Sequence, residues 1–337
     1  MRRDPLLHVD RLSVHFPVET GFLQPRAAVH AVEDVSFELA AGETLGVVGE
    51  SGCGKSTLGR AVLNLMAPTS GRILWQGHAL ARLSPGQQRM ARRDMTMIFQ
   101  DPLASLNPRM TVEDLVAEPL DIFEAGLAPA ERRRRVAGVL ERVGLPVDAA
   151  KRYPHQFSGG QCQRIGIARA LVMKPKMIVC DEVVSALDVS VQAQIVALLD
   201  DLSRDMGVAL LFISHNLAVV RQISDRILVL YLGKVMEIAD RDSLYHTPRH
   251  PYTQALLSAV PVPDPDLERT RRRIRLVGEL PSPLNPPKGC VFHTRCRFAS
   301  DRCRSESPAL GTIEAMHSVA CHHWQQIARA GEAAAPS

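Results

Sequence analysis

The segment Gly49–Thr57, which reads GESGCGKST, constrains the fold of this chain more than any other feature. It fits the pattern G-x-x-x-x-G-K-[ST], in which glycines let the backbone approach a phosphate group closely. A short strand of the buried type, Thr44–Val48, comes directly before it. After it, apolar residues recur at helical spacing from Leu58 to Met66. Strand, glycine loop and helix in this order predict an α/β core built around the loop.

This segment, termed the phosphate loop, offers an anion several backbone N–H groups and the positive end of a helix dipole, since the helix begins near Gly54. Lys55 would reach the β- and γ-phosphates of a nucleoside triphosphate, and Ser56 would bind Mg²⁺. The loop alone leaves kinases, GTPases and motor proteins open. The nucleotide-binding residues predicted here are Gly49, Glu50, Ser51, Gly52, Cys53, Gly54, Lys55, Ser56 and Thr57.

Two adjacent acids, Asp181 and Glu182, follow the apolar strand Met177–Cys180. The carboxyl end of such a strand lies at the sheet edge where α/β proteins bind ligands, so Asp181 can hold a hydrated Mg²⁺. Glu182 beside it can polarise an attacking water as a general base. A kinase would instead need an acceptor site, so the pair favours hydrolysis.

A second candidate anion site is the helix start Ser158–Gln161, termed the signature segment. Ser158 is a good N-cap residue, and Gly159 and Gly160 leave the first helical N–H groups bare. A phosphate loop and a separate phosphate-seeking helix start in one chain suggest a nucleotide held between two chains.

Three further segments complete an ordered set of motifs: Gln100 in Ile98–Asp101, Asp188 in Ser185–Asp188, and His215 in Leu211–His215. With them, the chain resembles the ATP-binding subunit of an ABC transporter over about the first 240 residues. The resemblance implies ATP and Mg²⁺ as cofactors. It implies the catalytic residues Glu182, His215 and Gln100, and the Mg²⁺ ligands Ser56, Gln100 and Asp181.

The resemblance also implies particular roles for single residues. Gln100 would link the Mg²⁺ and the water to the coupling helices of a membrane partner. Asp188 would lie at the seam of the dimer, and His215 would touch the γ-phosphate. Phe16, at the end of the first predicted strand, would stack on adenine, with a core aromatic residue as the alternative.

Four more parts of the chain make the family resemblance more specific, to the second ATPase of bacterial oligopeptide and dipeptide importers. They are Phe99–Met110, Cys162, His250–Leu256 and Gly278–Pro287. The resemblance then covers nearly the whole chain. Val183 stands where these ATPases usually have Pro, and Asn216 stands where Asp is common. Because Pro fixes φ, we expect Val183 to loosen the turn that aims Glu182, with reduced precision rather than lost activity.

The longest unbroken apolar runs, Val208–Ile213 and Ile227–Leu232, are far shorter than the roughly 20 residues that cross a bilayer. No membrane-spanning helix is therefore predicted, and the first residues lack the apolar stretch of a secretory signal. The resemblance implies that two permease subunits supply the spans. It implies as further partners a second ABC ATPase that is a paralogue and, indirectly, a substrate-binding protein. It places the chain at the cytoplasmic face of the inner membrane, as a peripheral subunit.

The charge balance argues against nucleic acid as a partner. Lys and Arg total 40 against 36 Asp and Glu, a net charge of +4, which is too balanced for a chain that coats nucleic acid. Two arginine runs, Arg132–Arg135 and Arg271–Arg273, could touch anionic lipid or nucleic acid, but flanking acids favour solvated faces. Nucleic-acid-linked ABC ATPases usually need two nucleotide domains or a long coiled-coil insertion, for which the interval from Gln100 to Ser158 is short.

Four of the seven cysteines follow the spacing C-x₅-C-x₆-C-x₁₇-C: Cys290, Cys296, Cys303 and Cys321. Structural zinc sites favour C-x₂₋₄-C pairs, and irregular spacing on a loop-rich scaffold suits an iron–sulfur cluster at least as well. Dipeptide-importer ATPases that resemble this chain here carry a [4Fe–4S] cluster. Zinc, with help from His293 or His322, and unligated thiols stay open as alternatives. The other cysteines, Cys53, Cys162 and Cys180, are predicted only to fill space.

We therefore predict an α/β fold: a P-loop ABC ATPase core with an antiparallel β subdomain, an α-helical subdomain at about 101–162 and a loop-rich C-terminal appendage. The predicted domains are a nucleotide-binding domain at 1–242 and an oligopeptide/dipeptide-transporter-type region at 243–337. The predicted function is ATP hydrolysis at a two-chain interface that powers peptide import. Alternatives are uptake of nickel or another small solute, and a nucleic-acid-linked ABC ATPase.

Overall fold

The structure, a computed structural model, describes residues 5–18, 27–261, 264, 269 and 273–327. Its strands are β1 (Leu7–Val18), β2 (Ala27–Leu39), β3 (Thr44–Val48), β4 (Ser70–Trp75), β5 (His78–Ala79), β6 (Met95–Ile98), β7 (Met177–Asp181), β8 (Ala209–Ile213), β9 (Arg226–Tyr231), β10 (Lys234–Asp240), β11 (Gly311–Glu314) and β12 (His317–Val319). Its helices are α1 (Lys55–Val62), α2 (Pro85–Asp94), α3 (Val112–Phe123), α4 (Pro129–Arg142), α5 (Gly159–Leu171), α6 (Val189–Met206), α7 (Leu217–Ile223), α8 (Arg241–His246), α9 (Pro251–Ser258) and α10 (Asp301–Ser305).

The chain divides into two units that are interleaved in sequence. The first unit comprises Met1–His8, Glu38–Thr44 and Leu74–Ser214, and the second comprises Val9–Phe37, Leu45–Ile73 and His215–Ser337, in their described parts. The domain boundary predicted at residue 242 stays a prediction.

The first unit contains three parallel strands in the order β8, β7, β6. β7 and β8 are buried along their whole length, because parallel strands covered on both faces take continuous apolar runs. The pairing of Asp181 with Ile213 extends β7 one residue past the predicted strand end. Asp181 therefore lies at the carboxyl edge of the strands, as predicted.

Helices α3, α4 and α5 pack on one another in the first unit. Helix α3 begins after Thr111, whose Oγ1 accepts a hydrogen bond from the backbone N–H of Asp114 at 3.2 Å, a local cap that fixes where the helix starts. These helices lie in or next to the stretch predicted as a helical subdomain. The bounds of that subdomain stay a prediction.

Three side chains of the first arginine run, Arg132, Arg134 and Arg135, pair with carboxylates. Arg132 bonds to acids on α3, at 3.1 Å from Glu113 Oε1 and 2.9 Å from Asp121 Oδ1. Arg134 and Arg135 both pair with Glu131 on α4, and Arg135 also pairs with Glu124 at the end of α3. This run is therefore largely neutralised within the chain. In the second run, Arg271 and Arg272 lie outside the described residues.

Helix α6 is the longest helix in the described part of the chain. It ends at Gly207, whose φ of 65° takes the left-handed conformation that terminates helices. Its buried face includes Ile195 and Leu199, so α6 packs as a core helix. Among all helices the structure describes, none has the length and apolar character needed to cross a bilayer.

The second unit holds a mixed set of strands. β3 pairs in parallel with β9, and β9, β10, β12 and β11 follow as antiparallel neighbours. β2, β1 and β4 are neighbours in that order in another sheet. The C-terminal region is thus not only loops, because β12 pairs with β10, for example Glu237 with Val319. The backbone N–H of Ala320 extends this contact to the Met236 carbonyl at 2.9 Å.

Candidate nucleotide-binding site

The phosphate loop follows β3 and ends where α1 begins. Gly54 has a φ of 102°, and a Cβ on it would lie 1.9 Å from the carbonyl oxygen of Ala31. A Cβ on Gly49 would lie 2.2 Å from the carbonyl oxygen of Leu230. The loop therefore packs against two neighbouring backbone segments of its own unit, and only glycine fits these two positions.

Lys55 is folded into the mouth of this loop. Its side chain is buried, with Lys55 4% exposed. Its Nζ donates to the carbonyl oxygens of Gly49 at 2.9 Å and Glu50 at 3.0 Å. Cys53 fills the space behind the loop, where burial raises the pKa of its thiol. A cation held among loop carbonyls is placed to meet phosphate oxygens that enter the loop.

Glu50 of the phosphate loop is held at two points by residues that sequence reasoning missed. Its backbone N–H donates to Tyr252 Oη at 2.9 Å. Its carboxylate accepts from Arg295 Nη1 at 2.7 Å. These partners are 202 and 245 residues away in sequence, so no local pattern points to them.

The other predicted residues of the second unit are Phe16 and His215. Phe16 is 41% exposed, which overturns the alternative that it is a core aromatic residue. His215 is exposed and precedes α7. The side chain of Asn216 caps this helix, accepting from the backbone N–H groups of Ala218 at 3.0 Å and Val219 at 3.5 Å. Asn216 thus performs the capping that Asp would perform at this position.

The acids Asp181 and Glu182 lie in the first unit. Asp181 is buried at the end of β7. Glu182 has a φ of 48°, an uncommon backbone conformation for a residue other than glycine. Its N–H donates to the Ile213 carbonyl at 3.0 Å, and its Oε2 accepts from Gln100 Nε2 at 3.3 Å. The structure therefore brings the predicted base and Gln100 together.

The signature segment forms a reciprocal cap at the start of α5. Ser158 Oγ accepts from the N–H of Gln161 at 3.4 Å, and Gln161 Oε1 accepts from the N–H of Ser158 at 3.0 Å. Ser158, Gly159 and Gln161 are exposed, whereas Cys162 beneath them is buried. Asp188 precedes α6 without capping it by its side chain. The signature segment at the start of α5 is therefore preformed and faces solvent.

The four cysteines of the C-terminal region come together in the second unit. Each thiol lies close enough to the other three to interact with them electrostatically. Burial raises the pKa of Cys290 to about 11 and that of Cys321 to about 12. The Sγ atoms of Cys296 and Cys321 each accept from the backbone N–H two residues further on, both at 3.4 Å. The role of these four cysteines as metal ligands stays a prediction.

A group that sequence reasoning missed is His15, His30 and Glu33, also in the second unit. In the described part of the chain, this is the one group of at least three histidine, cysteine or acidic residues whose ligand atoms all lie within 4.8 Å of one another. Glu33 Oε2 accepts from His15 at 2.6 Å and from His30 at 2.8 Å. Burial alone would raise the pKa of Glu33, but these bonds hold it below its ordinary value. The separations are those of hydrogen bonds, shorter than the roughly 3.3 Å between ligands around tetrahedral zinc.

Comparison with known families defines the class of this site. The family described as "ABC transporter" matches residues 32–185, and the family "Oligopeptide/dipeptide transporter, C-terminal region" matches residues 236–303. The solved structure titled "Dimeric structure of a post-hydrolysis state of the ATP-binding cassette MJ0796 bound to ADP and Pi" has a TM-score of 0.62 and 28% identity. The alignment covers 70% of this chain and 98% of that one. The chain has the fold of an ABC ATPase, as predicted.

Curated relatives define the family more closely. The oligopeptide transport ATP-binding protein OppF of Escherichia coli (strain K12) is 54% identical over 323 residues, 95% of this chain and 96% of the relative. The protein of the same name from Salmonella typhimurium is 54% identical over 324 residues, with the same shares covered. The chain therefore belongs to the family of ABC-transporter ATP-binding proteins of the oligopeptide transport type. The family predicted from the motifs is confirmed.

Proposed function

We propose that this chain binds ATP at the phosphate loop and hydrolyses it to power the import of peptides through partner permeases. The observation that carries the proposal is the loop itself, with Lys55 buried among its carbonyls at the start of α1. Such a loop binds the β- and γ-phosphates of a nucleotide. The relatives' names, which specify oligopeptide transport, supply the cargo class.

Each predicted residue has a role in this proposal. In the second unit, Phe16 stacks on adenine, Ser56 contributes to Mg²⁺ and His215 contacts the γ-phosphate. In the first unit, Asp181 and Gln100 contribute to Mg²⁺, and Glu182 is the general base. The hydrogen bond from Gln100 to Glu182 supports placing the Mg²⁺ ligand Gln100 next to the general base Glu182.

The proposal includes a two-chain sandwich. The exposed, preformed cap of the signature segment supports a role toward the nucleotide of another chain. Val189, which follows Asp188, is 83% exposed and would be covered at the same seam. A dimeric cassette among the structural relatives also supports it. We propose a paralogous ATPase as the second chain, two permeases, an indirect binding protein, and a position at the cytoplasmic face of the inner membrane.

The Glu182→Gln variant tests the catalytic assignment. It keeps the shape of the side chain but removes the base, so we expect ATP turnover to fall by a factor of about 10² to 10⁴. The variant should also accumulate as an ATP-bound dimer, visible by size-exclusion chromatography with light scattering. Ser185→Ala, which alters the same turn through the hydroxyl that bonds the Glu182 carbonyl, is the control. Undiminished turnover in Glu182→Gln would overturn the assigned role.

Cargo requires a separate experiment with the permeases and binding protein in proteoliposomes. We expect binding protein loaded with a peptide to stimulate ATP hydrolysis, and binding protein loaded with nickel not to do so. Stimulation by nickel alone would favour the small-solute alternative. No feature of the described residues favours that alternative or a nucleic-acid-linked ATPase.

We also propose that the four cysteines hold a [4Fe–4S] cluster, whose metal–sulfur bonds would cross-link the loops of this region. All four cysteines are described, and no three of their Sγ atoms lie within 4.8 Å of one another. A zinc ion bound by these thiols would draw the sulfur atoms to about 3.8 Å apart, so their separation without a metal does not distinguish zinc from a cluster. The backbone N–H bonds to Cys296 and Cys321 are of the kind that stabilise metal-bound thiolates. These bonds support thiolate ligation, and the choice of a cluster over zinc rests on the irregular spacing of the four cysteines and on the resemblance.

Anaerobic purification tests the cluster. We expect brown protein whose visible absorption is bleached by dithionite, with iron and inorganic sulfide in equal amounts. Cys303→Ser should lose the colour. Cys180→Ser, which changes a thiol buried in β7, should keep it. Colourless protein without iron would overturn the proposal, and zinc in its place would favour the alternative.

A further inference from the structure

Two residues of the C-terminal region, Tyr252 and Arg295, reach the same residue of the phosphate loop. Tyr252 lies on α9 and accepts the backbone N–H of Glu50. Arg295 lies on a short turn directly before Cys296 and bonds the Glu50 carboxylate at 2.7 Å. Glu50 is thus fixed through both its backbone and its side chain.

The position of Arg295 is itself fixed by the fold. Its side chain is only 9% exposed, and its backbone N–H donates to the carbonyl of Phe292 at 3.0 Å. His293, two residues before Arg295, bonds the Cys290 carbonyl through its backbone N–H at 2.9 Å and through its ring at 2.8 Å. The guanidinium also lies 6.0 Å over the ring of Tyr231. The backbone and side chain of Arg295 are therefore held by residues of the same region.

Tyr252 is held by a buried cluster of rings. Its ring centroid lies 4.8 Å from that of Tyr231 and 5.4 Å from that of Phe292, and all three side chains are almost completely buried. Phe292 stands two residues after Cys290. The cluster packs the end of β9, helix α9 and residues Cys290–Cys296, termed the cysteine segment, into one body. This body presents Tyr252 Oη and the Arg295 guanidinium to Glu50.

We propose that Arg295, together with Tyr252, is a positioning residue for ATP binding, and that through it the cysteine segment sets the conformation of the phosphate loop. The inference rests on the proposed function of the loop. Arg295 acts through Glu50: a charge-assisted bond to the carboxylate fixes the residue whose own carbonyl, with that of Gly49, holds Lys55. Loss of Arg295 frees this part of the loop, so the nucleotide must order it on binding.

Steady-state kinetics and ADP titration calorimetry on the full chain test the proposal. We expect Arg295→Gln to raise the KM for MgATP and the Kd for ADP about tenfold, with kcat within about twofold of wild type. Arg295→Lys keeps the charge without the planar fork and should raise KM about threefold. The matched control is Arg297→Gln, an exposed arginine on the other side of Cys296, which should leave KM within about twofold of wild type.

A double variant separates action through Glu50 from direct contact with nucleotide. If Arg295 acts through Glu50, Glu50→Gln and Arg295→Gln should each raise KM about tenfold over wild type. The double variant should then also have a KM only about tenfold above wild type, no higher than either single variant. Independent effects would multiply to about a hundredfold and would overturn the proposal. A purely structural role would lower the melting temperature without moving KM, and this outcome would overturn it as well.

Tyr252→Phe keeps the test decisive if Arg295→Gln does not fold. It removes only the hydroxyl that accepts the Glu50 N–H, and we expect about a threefold rise in KM. If wild type neither binds ADP nor hydrolyses ATP, the proposed function fails. If wild type does both and the Arg295→Lys and Tyr252→Phe variants keep the wild-type KM, the positioning role fails while the function stands.

Discussion

The phosphate loop and the signature segment are both glycine-containing helix starts suited to anions, yet they are built differently. In the phosphate loop, Gly54 needs a positive φ, and its surroundings leave no room for a Cβ. In the signature segment, a Cβ on Gly159 would meet only Leu187 Cδ2, at 3.8 Å, and one on Gly160 would meet a side chain, Val191 Cγ1 at 2.5 Å, rather than backbone. The first is shaped by distant residues of its unit, and the second by a cap within four residues.

This difference indicates how each site depends on the rest of the molecule. A loop whose shape depends on remote contacts is sensitive to changes far away, such as those at Tyr252 or Arg295. The hydrogen-bonded cap of the signature segment is set by its own residues, and its packing contact, that of Gly160, is with the flexible side chain of Val191. The signature segment can therefore be preformed and exposed while the phosphate loop is embedded.

Alanine at the two glycines should produce the largest contrast. Gly54→Ala places a Cβ 1.9 Å from a backbone oxygen at a φ of 102°, so we expect a loss of about 3 to 5 kcal/mol in the free energy of unfolding. Gly159→Ala lies at a helix start with space around it and should change stability by about 0.5 kcal/mol or less. Urea unfolding measures both. Equal losses would contradict the contrast between the two sites.

The stability of the region around the phosphate loop should also depend on pH, because His250 is buried there. This residue is buried and caps α9, its Nδ1 accepting the N–H of Tyr252 at 3.1 Å. Burial lowers the pKa of His250 to about 4, against an opposing effect of Glu237. The unfolded chain therefore binds a proton near its ordinary pKa of about 6.5, before the folded chain does. Stability should be full above this value and fall by about 3 kcal/mol between about pH 6.5 and 4.

Urea unfolding at several pH values, compared with His250→Asn, measures this effect. Asparagine can cap the helix but does not titrate in this range, so the variant should lose less stability on acidification than wild type. The difference between the two proteins cancels the other titrating groups. Parallel pH curves would show that His250 is not the group responsible.

Lys55→Ala should weaken ADP and MgATP binding by about 100-fold, because it removes the buried cation from the loop. Lys176→Ala is the matched control in the other unit. Lys176 is half-exposed and forms an ion pair with Asp94 at 2.7 Å, so its loss should cost about 1 kcal/mol or less of stability and leave nucleotide affinity within about twofold. Calorimetric titration measures both. Similar losses of affinity would break the assignment of binding to the phosphate loop.

The same contrast explains what the sequence could predict. The phosphate loop, the signature cap and the β7 end at Asp181 are encoded within a few residues, and the structure has them where they were expected. The partners of Glu50 could not be predicted, since Tyr252 and Arg295 are brought to it only by the tertiary fold. Residues at such separations leave no periodic signal.

The C-terminal region shows the same limit in another form. Its prolines break every periodicity, so it was expected to be loop-rich, yet β12 joins β10 through residues His317–Val319. A strand this short carries too little alternation to be recognised, and its pairing with β10 stabilises it instead. The four cysteines were predicted as ligands from their irregular spacing and from the resemblance, but such spacing does not define the geometry of a site.

Asn216 offers the smallest and most local test of the comparison. Its side chain caps α7, as Ser158 caps α5, so any good capping residue should serve there. We expect Asn216→Asp to change the free energy of unfolding by about 0.5 kcal/mol or less, and Asn216→Ala to lower it by about 1 kcal/mol. Urea unfolding distinguishes the two. If Asn216→Asp lowered the free energy of unfolding as much as Asn216→Ala, capping would not be the role of Asn216. A local cap such as that of the signature segment would then not tolerate exchange of one capping residue for another.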